Sequence, residues 1–223
     1  MLIREWMSKD VITVTPETSM FKASKLMKDH NIRRLPVVDG DKRLIGIVSD
    51  RDIKASSPSK ATTLDMHELY YLLSEVKIKD IMTHRPITVL ETETVDAAAV
   101  LMEEKGIGGL PVVNEKGDLV GIITDHDVFR VLIDVSGARK GGLLLGFHLP
   151  DQPGVLCPLF DSLRDLGANV LSVLTSRSRT TDGTSHVFFR LHPADPETER
   201  RILEGMKQYD SLVYWVDDTY HTR

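Results

Sequence analysis

Gly46-Ile-Val-Ser49-Asp-Arg-Asp52 returns 75 residues later as Gly121-Ile-Ile-Thr124-Asp-His-Asp127. Each copy is a β-rich apolar run that ends in a hydroxyl and passes into acidic residues suited to a helix N-terminus. The same offset extends outward without a gap. Met7-Ser-Lys-Asp-Val-Ile-Thr-Val14 lies over Met82-Thr-His-Arg-Pro-Ile-Thr-Val89, and Ile32-Arg-Arg-Leu-Pro-Val-Val38 over Ile107-Gly-Gly-Leu-Pro-Val-Val113. Across 7–53 and 82–128, 17 of 47 positions are identical. An internal duplication therefore organises the first half of the chain.

Each unit reads as β-α-β-β-α. A short extended segment (Ile12–Thr15, Ile87–Leu90) leads into an amphipathic helix over about Ser19–His30 or Thr94–Lys105. Ala23, Leu26, Met27 and their counterparts Ala98, Leu101, Met102 form its apolar stripe at helical spacing. Two β-rich runs follow, Leu35–Val38 with Leu44–Ser49 and Leu110–Val113 with Leu119–Thr124. Asp39-Gly40 and Lys116-Gly117 mark the turns. A last helix starts near Asp50 or Asp125. One such unit is too small for a good core, so the two are expected to pack together. Residues 54–76 join them, with a break at Ser56-Ser-Pro-Ser59 and a helix capped by Thr63 over Leu64–Leu73, read as packing against the repeats.

At 223 residues the chain holds one or two domains of ordinary size. The 28 Lys and Arg against 33 Asp and Glu give a net charge of −5, and neither half is a basic arm or an acidic tail. Nucleic-acid binding has no electrostatic basis here. The single cysteine, Cys157, excludes an internal disulfide and disfavours a zinc site. No signal-like or membrane-spanning apolar run occurs, so a cytoplasmic location and no membrane partner are expected.

The repeated string has a direct chemical reading. A hydroxyl where a strand meets a helix, Ser49 or Thr124, can donate to phosphate beside backbone N–H groups. An aspartate one turn on, Asp52 or Asp127, can accept both hydroxyls of a ribose, as in dinucleotide sites. The alternative is that both aspartates only cap their helices. Adenine needs an apolar slot with backbone hydrogen bonds. Ile12-Thr13-Val14 with Leu35-Pro36 is one candidate slot, and Ile87-Thr88-Val89 with Leu110-Pro111 the other.

These residues resemble a tandem pair of CBS domains, a Bateman module, over about 1–135. The resemblance implies two clefts between the paired units, taking AMP, ADP, ATP (with any Mg²⁺ the nucleotide carries) or S-adenosyl compounds as regulatory ligands and needing no obligatory cofactor. It also implies that Arg33 and Arg34 neutralise phosphates. The second repeat has Gly108-Gly109 in their place, so it either lacks a phosphate clamp or borrows an arginine across a shared cleft. Arg51, His126 and Lys105 are weaker substitutes.

Gly141-Gly142 separates a third piece. Strands over Leu143–Leu149, Ala168–Thr175, Ser185–Leu191 and Leu212–Val216, with helices over Leu156–Leu166 and Pro196–Gln208, give β-α-β-β-α-β, a ferredoxin-like order. A polar segment containing Asp182-Gly183 joins the middle strands. Asp151-Gln-Pro-Gly154-Val155 followed by Gly167-Ala-Asn169 resembles an ACT domain over about 143–220. That implies an amino-acid ligand near Asp151, Gly154, Val155 and Asn169, at a dimer interface. A ligand-free dimerisation unit is the alternative.

The expected architecture is thus α+β, with repeat 1 and its linker over 1–76, repeat 2 over 77–138 and the ACT-like unit over 143–220. CBS repeats with such a tail resemble the AcuB-like acetoin-utilisation family. No P-loop, His-Glu-x-x-His or Cys-x-x-Cys string is present, and no metal site or catalytic residue is assigned. The reading is a non-enzymatic sensor that binds an adenine nucleotide, forms a homodimer or larger assembly, and regulates an unidentified metabolic partner. A nucleotide-acting enzyme such as a hydrolase, and a ligand-free scaffold, are the alternatives.

Overall fold

Ser19 and Thr94 each begin a helix by accepting a hydrogen bond from the backbone three residues on, Lys22 and Ala97 respectively. The helices are α2 (Met20–Asp29) and its counterpart α4 (Val95–Lys105). The computed structural model describes residues 1–57, 74–177 and 183–217. The expected helix over Leu64–Leu73, Pro58-Ser59 of the helix break and Asp182 of the polar segment lie outside the described residues.

The first repeat contains β1 (Arg34–Val38), β2 (Leu44–Ser49) and α3 (Asp50–Ala55), and the second β5 (Gly109–Val113), β6 (Leu119–Thr124) and α5 (Asp125–Ser136). Within each repeat the two strands pair antiparallel, with Leu35 opposite Val48 and Leu110 opposite Ile123. The leading extended segments are shorter than expected. Val14 makes a single parallel bridge to Val37, and Val89–Leu90 form a two-residue strand, β4, parallel to β5.

Two short helical turns, α1 (Ile3–Trp6) and a 3-10 turn at Ile78–Asp80, extend the duplication toward the N-terminus of each unit. Each serves the other repeat. The Ile78 N–H donates to the Thr18 carbonyl in repeat 1, and the Ile3 N–H donates to the Glu93 carbonyl in repeat 2. Likewise β3 (Thr83–His84) pairs with β2, while Ser8 bridges Ile122 in β6. Any side chain at Gly46 would meet the Met82 sulfur, and any at Gly121 the Met7 sulfur. The repeats are therefore interleaved rather than laid end to end. Their cores use equivalent positions: Val14, Met20, Ala23, Met27, Leu35, Val37 and Val48 are buried, as are Val89, Val95, Ala98, Met102, Leu110, Val112 and Ile123.

The chain divides into two compact units, residues 1–129 and 130–223. The division falls inside α5 rather than at Gly141-Gly142. The physical reason is that the Ser136 carbonyl accepts from the Ser172 hydroxyl, and Gly137 lies against Leu171.

The second unit has β7 (Leu143–Pro150), α6 (Cys157–Asp165), β8 (Val170–Ser176), β9 (Thr184–Leu191), α7 (Pro196–Met206) and β10 (Leu212–Asp217). The sheet order is β10-β7-β9-β8, antiparallel throughout. This is the ferredoxin-like arrangement read from the sequence. Alternate residues Leu145, Phe147 and Leu149 of β7, with Val187, Phe189 and Leu191 of β9, pack on Leu159, Leu163, Ile202 and Met206. No described helix is long and apolar enough to cross a membrane.

Candidate functional site

The Ser49–Asp52 junction is a closed capping box. The Ser49 backbone N–H and hydroxyl both donate to Asp52 Oδ2 at 2.7 Å, and the Asp52 N–H donates back to Ser49 Oγ at 3.3 Å. Thr124 repeats the pattern, its N–H and hydroxyl donating to Asp127 Oδ2 at 2.9 and 2.8 Å. The Asp50 N–H donates to the Arg33 carbonyl, and the Asp125 N–H to the Gly108 carbonyl. Here the sequence expectation needs correction. A hydroxyl has one proton, and Ser49 and Thr124 give theirs to a carboxylate, so neither is placed as a phosphate donor. Capping and ribose binding are also not exclusive, since both contacts named for the Asp52 carboxylate use Oδ2.

A cavity of about 220 Å³ opens beside this junction. From repeat 1 come Arg34, Ile47, Ser49, Asp50, Arg51 and Asp52. Facing them are Thr83, Pro86 and Ile87, the turn Gly106–Gly109, and Pro111. The acidic end of one repeat thus meets the apolar slot of the other. Of the second candidate slot, Ile87 and Pro111 line the cavity. Leu110 and Val89 are instead core residues, as are Leu35 and Val14 of the first slot, because their side chains point inward from the strands. Pro36 is buried, Ile12 half-buried, and Thr13 and Thr88 are exposed. Ile12, Thr13 and Pro36 do not line this cavity. Asp127 is only 4% exposed, and His126 is exposed, its N–H held by the Asp125 carboxylate.

Arg34 decides the cavity's character. Its side chain crosses Gly108 and Gly109, where a Cβ on Gly108 would collide with its guanidinium and one on Gly109 would press on its stem. The glycines that replace Arg33-Arg34 in repeat 2 are the space Arg34 occupies. Burial lowers its pKa, partly offset by Asp125 and Asp50. No hydrogen bond or ion pair closes on its guanidinium among the described residues. Arg33 is exposed and lines no part of the cavity. Arg51 is also exposed but does line it. Gly106, Ile107 and Pro86 were not anticipated. The offset that aligns the repeats could have located them, since the first slot's segment and the α2–β1 turn are their counterparts.

The match to known proteins now decides the family. A model of the CBS domain matches residues 3–58 and 78–134. The chain belongs to the CBS-domain family. A CBS domain-containing protein of Dictyostelium discoideum is 36% identical over 134 residues, spanning 60% of this chain and 92% of that one. An inosine-5'-monophosphate dehydrogenase of Korarchaeum cryptofilum is 40% identical over 161 residues, but the match covers only 30% of the enzyme and 70% of this chain. Among solved structures, the CBS domain pair of protein MJ0100, bound to 5-methylthioadenosine and S-adenosyl-L-methionine, is 32% identical with a TM-score of 0.50, covering 59% of this chain and 95% of that one. CBSX2 in complex with AMP is 31% identical with a TM-score of 0.50, covering 60% and 98%. The AcuB protein of Vibrio cholerae is 29% identical with a TM-score of 0.51, covering 63% and 96%.

In the second unit the ACT-like candidates are not brought together. Asp151 follows β7 and is held by Arg177, whose Nε and terminal nitrogen donate to its two oxygens at 2.6 and 2.8 Å. This pair holds the Asp151 carboxyl below its ordinary range. Gly154 has φ +82 with open space around it, and Val155 packs on the core. Asn169 sits at the other end of the sheet, exposed, its carbonyl accepting from the His192 N–H. Pro150 is opposite Thr184 while Val170 is opposite Leu191. That separation along β9 is roughly 23 Å at the usual strand rise. One chain cannot close a small ligand between them.

Proposed function

We propose that this CBS protein is a non-catalytic sensor of an adenine nucleotide, bound in the cavity between the Ser49–Asp52 junction and the Ile87–Pro111 slot. The carrying observation is Arg34, a half-buried cation without a hydrogen-bond or ion-pair partner among the described residues, aimed into a cavity that also offers a carboxylate and an apolar wall. A phosphate would supply the partner that desolvated guanidinium lacks. Asp52 Oδ1 would accept from the ribose, and Ile87 and Pro111 would flank the base. The complexes of related CBS pairs with AMP and with S-adenosyl-L-methionine support this ligand class. Ligand binding would favour one arrangement of the chain and so modulate a metabolic partner. The likeness to AcuB supports acetoin utilisation as the setting.

The second unit is proposed as an ACT-like regulatory unit. Its open Gly154 turn is the part suited to an amino acid, with Asn169 contributed only from a second copy.

Calorimetry with AMP, ADP, ATP, adenosine and S-adenosyl-L-methionine tests the nucleotide reading. Phosphate-bearing ligands should bind more tightly than adenosine. Arg34→Ala should erase that preference, and added salt should weaken binding. Adenosine binding as tightly as AMP would overturn the role of Arg34 and favour an S-adenosyl ligand. Turnover of ATP in the presence of Mg²⁺ would overturn the non-catalytic reading.

A further inference from the structure

The nucleotide cavity does not end at Arg34. A groove of about 320 Å³ adjoins it, and Arg51, Gly106, Ile107 and Gly108 line both spaces. The Arg34 guanidinium lies against Gly108, so the cation assigned to the phosphate stands at the boundary between them. A substituent carried on that phosphate would run into the groove.

The groove is apolar along most of its length, lined by Ala99, Met102, Ile107, Val128 and Phe129. Phe129 is 62% exposed, which leaves its ring available to a ligand. Ala99 and Phe129 stand where repeat 1 has Ser24 and Lys54, so this apolar wall belongs to repeat 2. Besides Arg51, the charged residues of the groove are Glu103 and Asp125. Cavity and groove together set two arginines, Arg34 and Arg51, against four carboxylates, Asp50, Asp52, Glu103 and Asp125. A chain of further phosphates leading from Arg34 would bring more negative charge toward Glu103 and Asp125, and like charges at close quarters repel. A phosphoryl group with a single charge and an apolar cap suits both spaces, since it gives Arg34 its anion and the groove an apolar tail.

We propose that the ligand of this cavity is an adenylate of a carboxylic acid, an AMP whose phosphate is joined to a branched aliphatic or aromatic acyl group, and that the groove of repeat 2 holds that acyl group. The inference rests on the adenine-nucleotide reading of the cavity. Joining the acyl group leaves one negative charge on the phosphate, where a free phosphate monoester carries about two near neutral pH. The acyl chain replaces the lost charge with apolar contact at Val128 and Phe129. The chain binds this compound and performs no chemistry on it.

Two non-hydrolysable analogues test the groove in the full chain by calorimetry. In both, a sulfamate with one negative charge stands in for the phosphate: 5′-O-[N-(4-methylpentanoyl)sulfamoyl]adenosine and its N-acetyl counterpart, which lacks the apolar tail. The longer analogue should bind about tenfold more tightly than the acetyl one, in keeping with burial of a branched alkyl group. Without divalent metal, ADP and ATP should bind no more tightly than AMP. Phe129→Ser lies outside the nucleotide cavity and should erase the difference between the analogues while leaving AMP affinity within about twofold. Glu103→Gln should improve ADP relative to AMP by about threefold. If AMP binds but the two analogues bind equally, or Phe129→Ser leaves their difference intact, the acyl proposal is overturned and the nucleotide reading stands. ATP binding tenfold more tightly than AMP would overturn it in the same way. If neither AMP nor either analogue binds, both readings fall.

Discussion

Leu35 and Leu110, Val37 and Val112, Ala23 and Ala98 hold identical buried places in the two repeats. Outside the core, the same offset sets Arg34 against Gly109, Lys54 against Phe129 and Lys25 against Val100. The interior is duplicated and the surface is not. A duplicated interior is what two interleaved half-domains need, because each supplies a helical turn and a strand segment to the other. The unequal surface gives the pair one cavity with a cation and an apolar wall, where two equal repeats would place either two arginines or two glycine pairs in competition for the same space.

The largest effects should test the equal part. Leu35→Ala and Leu110→Ala each remove a fully buried side chain and should each cost about 2–5 kcal/mol. Urea unfolding should show the two losses within about 1 kcal/mol of each other, given the usual scatter between comparable sites. A loss at one site less than half that at the other would show that the two cores do not carry equal weight.

The next effect should separate the repeats. Asp52→Ala should weaken nucleotide binding by about 1.5–3 kcal/mol, the range for hydrogen bonds to a charged group, beyond about 1 kcal/mol of lost capping stability. Asp127 caps the equivalent helix but is buried, so Asp127→Ala should lower the melting temperature while leaving binding at the Arg34 cavity nearly unchanged. Calorimetry and thermal unfolding on both variants decide it. Equal loss of binding would mean that the two junctions serve ligand equally.

A smaller effect should come from the fit of Arg34 over Gly108. A methyl at Gly108 would meet the guanidinium and the Asp125 carboxylate. Because the arginine tip is flexible, Gly108→Ala should cost only about 1 kcal/mol in stability, near the low end for overpacking. It should still displace the guanidinium and weaken phosphate recognition. In an Arg34→Ala background the same change should cost little, a coupling measurable by a double-mutant cycle. Additive losses would show that Arg34 does not occupy the glycine space in solution.

The repeats, their element order and the βαββαβ tail were legible because hydrophobic spacing, capping residues and turn glycines all act locally. Ser19 and Thr94, where the expected helices begin, cap them. The exchange of leading segments was not legible, since it depends on pairings such as Ile3 with Glu93 and Ile78 with Thr18, far apart in the chain. The site was half legible. Asp52, Arg34, Ile87 and Pro111 were expected as ligand contacts and are found lining one cavity. Leu35, Leu110, Val14 and Val89 are not, because alternation along a strand says which residues share a face without saying which face meets solvent. The hydroxyl of Ser49 was misassigned for a related reason. Its nearest strong acceptor, Asp52, is three residues away in its own chain and takes the proton that a phosphate would need.

The smallest effect concerns Lys54, which pairs with Asp50 at 2.8 Å, where repeat 2 has Phe129 and Asp125. The hydrogen bond from Lys54 holds the Asp50 carboxyl below its ordinary value, with its charge and those of Arg33 and Arg34 adding to the effect and burial opposing it. A carboxylate lowered on folding contributes stability above its unfolded pKa, and that contribution is lost as pH falls through the lower folded value. Both side chains are solvent-accessible, so Lys54→Ala should cost only about 0.3–0.5 kcal/mol at neutral pH, the range for an exposed i,i+4 pair. The difference should shrink as the solution is acidified below about pH 4, where unfolded aspartate begins to protonate, and should shrink with added salt. Phe129→Ala has no such partner to lose, and its effect should be flat with pH. Urea unfolding of both variants at neutral and acid pH compares them directly. A Lys54→Ala loss that persists unchanged in acid would mean that the lysine stem, rather than its charge, is what repeat 1 uses there.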